Sequence, residues 1–74
     1  MQMELSELYT KIALRIKFLR KQQKMTQEKL AELAGISTDY LGKIEANIDN
    51  PGLIGLHKII NGLNVSFGEF FKDI

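Results

Sequence analysis

The chain reads as all-α, with five short helices. Apolar residues recur at spacings of three and four. A hydroxyl residue bracketed by two apolar ones marks one helix start after another. No apolar–polar alternation of the strand kind is sustained anywhere.

Leu5, Leu8, Ile12, Ile16 and Leu19 form one stripe and predict a first helix from about Ser6 to Gln23. The second begins at Thr26, whose hydroxyl can accept from the free N–H groups of the first turn, with Met25 and Leu30 as a hydrophobic staple. It stops at Gly35, which adopts the left-handed conformation without a Cβ penalty. Ser37 opens the third helix in the same manner, with Ile36 and Leu41 as staple; it reaches about Ala46, and Asn47 is a left-handed stop. The segment Asn47-Ile48-Asp49-Asn50-Pro51-Gly52 holds the only proline and is the one obvious loop. Either Asn50 or Gly52 caps the fourth helix, which carries Leu53, Leu56, Ile60 and Leu63 on one face and can end at Asn64. Ser66-Phe67-Gly68-Glu69 fits a capping box with Val65 and Phe70 as staple, and Phe67, Phe70 and Phe71 of the short fifth helix read as core.

Seventy-four residues, taken here as a single domain over 1–74, leave an economical core. Without cysteine there is neither a disulfide nor a thiolate metal site, so helix packing has to supply the stability, with dimerisation a possible addition. No apolar run approaches the ~18–20 residues that span a bilayer, and the acidic, polar start is unlike a secretory signal, which points to a cytoplasmic protein. The formal net charge of +1 excludes a generic polycation, but the charge is unevenly placed. Lys11, Arg15, Lys17, Arg20, Lys21 and Lys24 follow one another with no acidic residue between them. Taken alone, that run fits a solvated helix face as well as a polyanion-binding one.

Nothing points to an enzyme. His57 lies between Leu56 and Lys58 with no partner nearby and reads as a surface histidine. Ser6, Ser37 and Ser66 are accounted for by caps or exposed termini, and no base–carboxylate pair accompanies them. The glycines form no phosphate cradle, and no cofactor or metal is implied.

The informative unit runs from Thr26 to Glu45: two short helices joined by a tight turn containing Gly35. In that arrangement the second helix can enter a major groove while the first crosses the backbone. Ala31 is small where the helices approach, and Ile36, Leu41 and Ile44 point inward. The outward face of the third helix carries Ser37, Thr38, Asp39, Gly42 and Lys43, short or polar side chains where a helical protein with no partner would more usually put long Glu and Lys residues.

The ordered set Ile16, Leu19-Arg20, Thr26-Gln27-Glu28-Lys29-Leu30-Ala31, Gly35-Ile36-Ser37, Ile44-Glu45, Asn50-Pro51 and Leu63-Asn64-Val65-Ser66 resembles the phage-repressor and Cro-like (XRE) helix-turn-helix family over about 9–71. The resemblance implies a compact five-helix, lambda-repressor-like domain whose second and third helices bind double-stranded DNA in the major groove. Thr26 and Gln27 are then DNA-binding residues, Gln27 touching a phosphate and bracing the third helix. Thr38, Asp39 and Lys43 face base edges, Gly42 belongs to the same DNA-binding face, and Ser37 and Tyr40 reach the sugar-phosphate. Lysine can donate to guanine and aspartate can accept from cytosine; Asp39 fits a helix N-terminal stabiliser equally well. Arg20 and Glu45 match an ion pair between helices 1 and 3, from which Arg20 could also turn an edge to a phosphate. The family commonly continues after the glutamate with basic residues and a glycine. Here Ala46, Asn47, Ile48 and Asp49 offer no cation, leaving backbone N–H groups with Asn47 or Asn50 to meet phosphate.

Two functions fit. One is a transcriptional regulator, of the repressor type or similar in size to restriction–modification controller proteins, that binds a palindromic operator as a homodimer. The other is an antitoxin or adaptor acting on a protein partner through helices 4 and 5, where Ile54, Phe67, Phe71 and Ile74 are apolar.

Overall fold

The computed structural model describes residues 2–74. Five helices follow in order: α1 Leu5–Gln22, α2 Gln27–Ala34, α3 Thr38–Glu45, α4 Leu53–Gly62 and α5 Phe67–Phe71. Among the described residues there is no strand, and no helix is long and apolar enough to cross a membrane.

The three expected hydroxyl caps all form. Thr26 accepts from the amide of Lys29, Ser37 from that of Tyr40 and Ser66 from that of Glu69, each at 3.0 Å. The Glu69 carboxylate makes no return bond to Ser66 among the described residues, so the expected capping box is half formed. Gly52, not Asn50, takes the N-cap position of α4 and offers no side chain to it. α1 starts at Leu5, one residue before the expected Ser6, behind an uncapped Glu4.

A left-handed residue follows each of the first four helices: Lys24 (φ 59°), Gly35 (φ 72°), Asn47 (φ 60°) and Asn64 (φ 58°). In every case the next amide reaches the carbonyl five residues back, Met25 to Arg20, Ile36 to Ala31, Ile48 to Lys43 and Val65 to Ile60. This is the Schellman ending, which satisfies carbonyls that a helix terminus otherwise leaves open. Gly35, Asn47 and Asn64 were legible as stops. Lys24 was not, because a residue with a Cβ and no short polar side chain is an uncommon occupant of that region.

The core joins Ile12, Ile16 and Leu19 of α1, Leu30, Ala31 and Ala34 of α2, Leu41 and Ile44 of α3, Leu56, Ile59 and Ile60 of α4, Leu63, and Phe70. Met25, Ile36 and Val65, the residues before the caps, pack on its edge as staples do. The expected apolar faces need three corrections. Leu5 and Leu53 are 63% and 76% exposed: each is the first residue of its helix, one turn ahead of the point where the stripe becomes covered. Phe67 is 39% exposed, because five-residue α5 turns only Phe70 fully inward.

α2 lies close against α4. A Cβ on Gly62 would stand 3.1 Å from the Cβ and the backbone nitrogen of Ala34 and from Leu30 Cδ1. By contrast, the nearest atom to a Cβ on Gly68 would be Ser66 Oγ at 3.9 Å. Two glycine-to-alanine changes should therefore have opposite signs in urea unfolding. Gly68→Ala should stabilise by up to about 1 kcal/mol, the helix-propensity gain. Gly62→Ala should destabilise by about 1 kcal/mol, because overpacking costs about 1–3 kcal/mol and outweighs that gain where a backbone nitrogen cannot yield.

Candidate nucleic-acid interface

The turn between α2 and α3 is Gly35-Ile36-Ser37, closed by the Schellman bond of Ile36 on one side and the Ser37 cap on the other. Both helices meeting there are eight residues long. The buried side chains of α3 are Leu41, Ile44 and Glu45, which leaves Thr38, Asp39 and Lys43 exposed on its outer face with Gly42 half-buried between them.

Asp39 and Lys43 meet at 3.2 Å across one turn, with their side chains 80% and 49% exposed. The acid precedes the base, which suits the helix dipole, and the pair is worth a few tenths of a kcal/mol. Opening it to present either group outward therefore costs little. Thr26 and Ser37 accept from backbone amides, so each hydroxyl keeps its hydrogen to donate.

The side chain of Glu45 is only 2% exposed and takes both oxygens to Arg20: Nε donates to Oε2 at 2.8 Å and Nη2 to Oε1 at 2.9 Å. Nη1 of Arg20 donates to the carbonyl of Met25 at 2.8 Å, so one guanidinium ties α1, α3 and the turn entering α2. The hydrogen bond to Glu45 holds the Arg20 pKa above the ordinary arginine value, against the opposing effect of burial. A raised cationic pKa gives stability that is complete below the unfolded-state value and lost only as pH rises through the folded one. Rising pH therefore does not break the pair from the arginine side. Gln27 Nε2 donates to Glu45 Oε1 at 3.2 Å, so Gln27 is braced against α3. Its Oε1 lies 3.5 Å from where a Cβ on Gly42 would stand.

Tyr40 is half-buried, with its ring against α4: its hydroxyl is 2.8 Å from where a Cβ on Gly55 would be. Gly55 is thus a residue on which the posture of α3 depends, and the sequence reading missed it. A lone glycine inside a helical pattern was the available signal. Asn47 donates through Nδ2 to Thr10 Oγ1 at 3.0 Å, and the Thr10 hydroxyl donates to the carbonyl of Ser6. The amide of Asn47 is thereby engaged with α1, whereas Asn50 is exposed beside it with no side-chain bond among the described residues.

This arrangement, two capped helices set by a buried ion pair with a short polar face on the second, is that of an XRE/Cro–C1-type helix-turn-helix. The chain belongs to the helix-turn-helix family, whose model matches residues 16–70. It is 42% identical over 57 residues to the HTH-type transcriptional regulator SutR of Escherichia coli K12, covering 77% of this chain and 32% of that protein. It is 43% identical over 51 residues to the immunity repressor protein of Bacillus phage phi105, covering 69% of this chain and 35% of the repressor. The chain thus spans about a third of the length of these curated relatives, one named a transcriptional regulator and the other a repressor. Among solved structures, it is similar to the restriction–modification controller protein C.Esp1396I in the tetramer bound to its natural 35 base-pair operator. There the TM-score is 0.86 at 37% identity, covering 88% of this chain and 86% of that one.

Glu45→Ala should cost about 3 kcal/mol in chemical unfolding, because it strands a buried guanidinium. Replacing Arg20 and Glu45 together by leucine and methionine should recover most of that loss, because well-packed apolar pairs rival buried ion pairs. A double variant no more stable than Glu45→Ala would show that the pair itself, and not the stranded charge, carries the energy.

Proposed function

We propose that this chain is a non-enzymatic transcriptional regulator that binds a palindromic operator in double-stranded DNA as a homodimer. The observation that carries the reading is the outer face of α3: Thr38, Asp39 and Lys43 are exposed on a helix fixed at both ends and braced through Gln27 and Glu45. In this reading Thr38, Asp39 and Lys43 read base edges past Gly42, which keeps the groove-facing surface low. Thr26, Gln27, Ser37 and Tyr40 meet the sugar-phosphate, while Asn47 and Asn50 hold the loop beside it. Arg20 acts chiefly through Glu45, its remaining N–H groups being the only ones it has for a phosphate. A protein with this role works where the DNA is, which in a bacterial cell is the cytoplasm.

The dimer reading rests on α4 and α5. Leu53 and Ile54 are 76% and 75% exposed; His57, one turn on in α4, lies beside Phe67 of α5, their ring centroids 6.1 Å apart. Exposed apolar side chains on α4 and α5 of this kind suit an isologous contact. Such a pair would set two α3 helices about 34–36 Å apart, one turn of duplex. The controller protein C.Esp1396I forms an operator-bound tetramer, which supports an assembly built from more than one copy. The same face is what an adaptor or antitoxin would use, so the two functions separate by mutation.

Fluorescence anisotropy against duplex from upstream of its own gene, beside scrambled duplex, tests the reading. Preference of about 10³-fold or more is expected for a specific site. Thr38→Ala and Lys43→Ala should each weaken operator binding by about 1–3 kcal/mol while leaving the fold intact. Ile54→Glu should yield a monomer in sedimentation equilibrium and lose operator preference with it. Function that survives the α3 changes but not Ile54→Glu would favour the protein-partner role.

A further inference from the structure

We propose that the flank of α1 bearing Lys17 and Lys21, continued by Lys24, is a second phosphate-binding surface that grips the backbone of the duplex and replaces the cations absent from the loop after α3. The proposal rests on the DNA-binding reading above.

The hydrogen bonds of α1 define this flank. Thr10 bonds to Asn47 in the loop after α3, and Arg20 bonds to Glu45 at the end of α3. At about 100° per residue, Lys17 and Lys21 fall within about 20° of Thr10 around the helix. They therefore share the side of α1 that abuts α3 and its loop. Lys24 follows in the left-handed turn, two residues before the Thr26 cap. The first amides of α2 lie just beyond it, and a helix N-terminus with free amides favours an anion.

All three lysines are exposed. The ion pairs among the described residues are Arg20–Glu45, Lys29–Glu32 and Lys43–Asp39, so none of the three has an acidic partner. The neighbouring arginines are committed elsewhere. Arg20 is spent on Glu45 and Met25, and Arg15, on the opposite flank, donates to the carbonyls of Glu69 and Phe70 at the end of α5. The loop Ala46-Asn47-Ile48-Asp49 has no cation, and its Asn47 amide is already bonded to Thr10. Three unpaired cations, running along α1 from the side that meets this loop towards the start of α2, suit a polyphosphate ligand, whose attraction to lysine needs position but no fixed geometry.

The test compares the salt dependence of duplex binding for three proteins: the wild type, Lys17→Gln/Lys21→Gln, and Lys11→Gln/Lys72→Gln, which removes the same charge away from this flank. Each phosphate contact contributes about 0.9 to the slope of log affinity against log salt. The Lys17/Lys21 variant should lose roughly 1.8 from the slope and roughly tenfold or more in affinity at physiological salt. Its ratio of operator to scrambled binding and its thermal midpoint should hold, and the Lys11/Lys72 variant should keep the wild-type slope. An unchanged slope in the Lys17/Lys21 variant, or an equal loss in both variants, overturns the proposal even where the wild type prefers its operator. A wild type that binds all duplexes alike, with the slope loss confined to Lys17/Lys21, overturns the specificity reading and leaves this surface standing. A wild type that binds no duplex overturns both.

Discussion

The posture of the helix-turn-helix depends on a single guanidinium. Apolar burial holds α1, α2 and α3 together, but it is non-directional and would tolerate a rotation of α3 about its own axis. The bidentate contact between Arg20 and Glu45 does not, because both oxygens must meet a planar fork. The third bond, to the carbonyl of Met25, fixes the same side chain to the residue that staples α2. Gln27 then extends the network from Glu45 to the first turn of α2. Residues 25 positions apart in sequence thus hold α3 firmly in the orientation that its buried Leu41 and Ile44 set.

A second device sets where the helices begin and end. In Lys24-Met25-Thr26, Gly35-Ile36-Ser37 and Asn64-Val65-Ser66 a left-handed residue, an apolar residue and a hydroxyl cap follow in order. The middle residue donates the bond that closes one helix and packs beside the helix that follows. Asn47-Ile48-Asp49 starts in the same way, yet no helix follows at once and Ile48 is left 71% exposed. Pro51 supplies the reason. The residue before a proline is pushed away from the helical region, so Asn50 stays outside α4 and the start is deferred to Gly52.

Legibility follows from this. Caps, staples and stops are local, acting over three to five residues, and the chain spells them out; Lys24 escaped because its conformation is imposed by the Schellman bonds around it. The outer face of α3 was legible for the same reason, since fixed ends leave one helical phase. What was not legible involves distant partners. Tyr40 over Gly55, Thr10 under Asn47, and Arg15 on the last carbonyls of α5 are contacts between elements whose approach no local pattern encodes. Exposure at helix starts was misjudged on similar grounds, because Leu5 and Leu53 continue a stripe whose covering neighbour does not extend that far.

These distant contacts also bear on how a domain with the proposed function would become selective. The α3 face is small, its one lysine is paired with Asp39 when unbound, and the loop behind it has no cation. One copy therefore brings few contacts to a groove, and two copies help only if the second is delivered at a fixed distance and angle. The path from α3 to the exposed face of α4 is short and stiff: Tyr40 lies on Gly55, Asn47 is tied to α1, and Pro51 is buried in the connection. Flexible joints would spread the two reading helices over many spacings and dilute one copy's binding for the other. In the proposed dimer, a rigid link between the outer face of α3 and the apolar face of α4 would turn two-fold symmetry into a spacing requirement on the DNA, so discrimination would come from geometry where the individual contacts are too few to supply it.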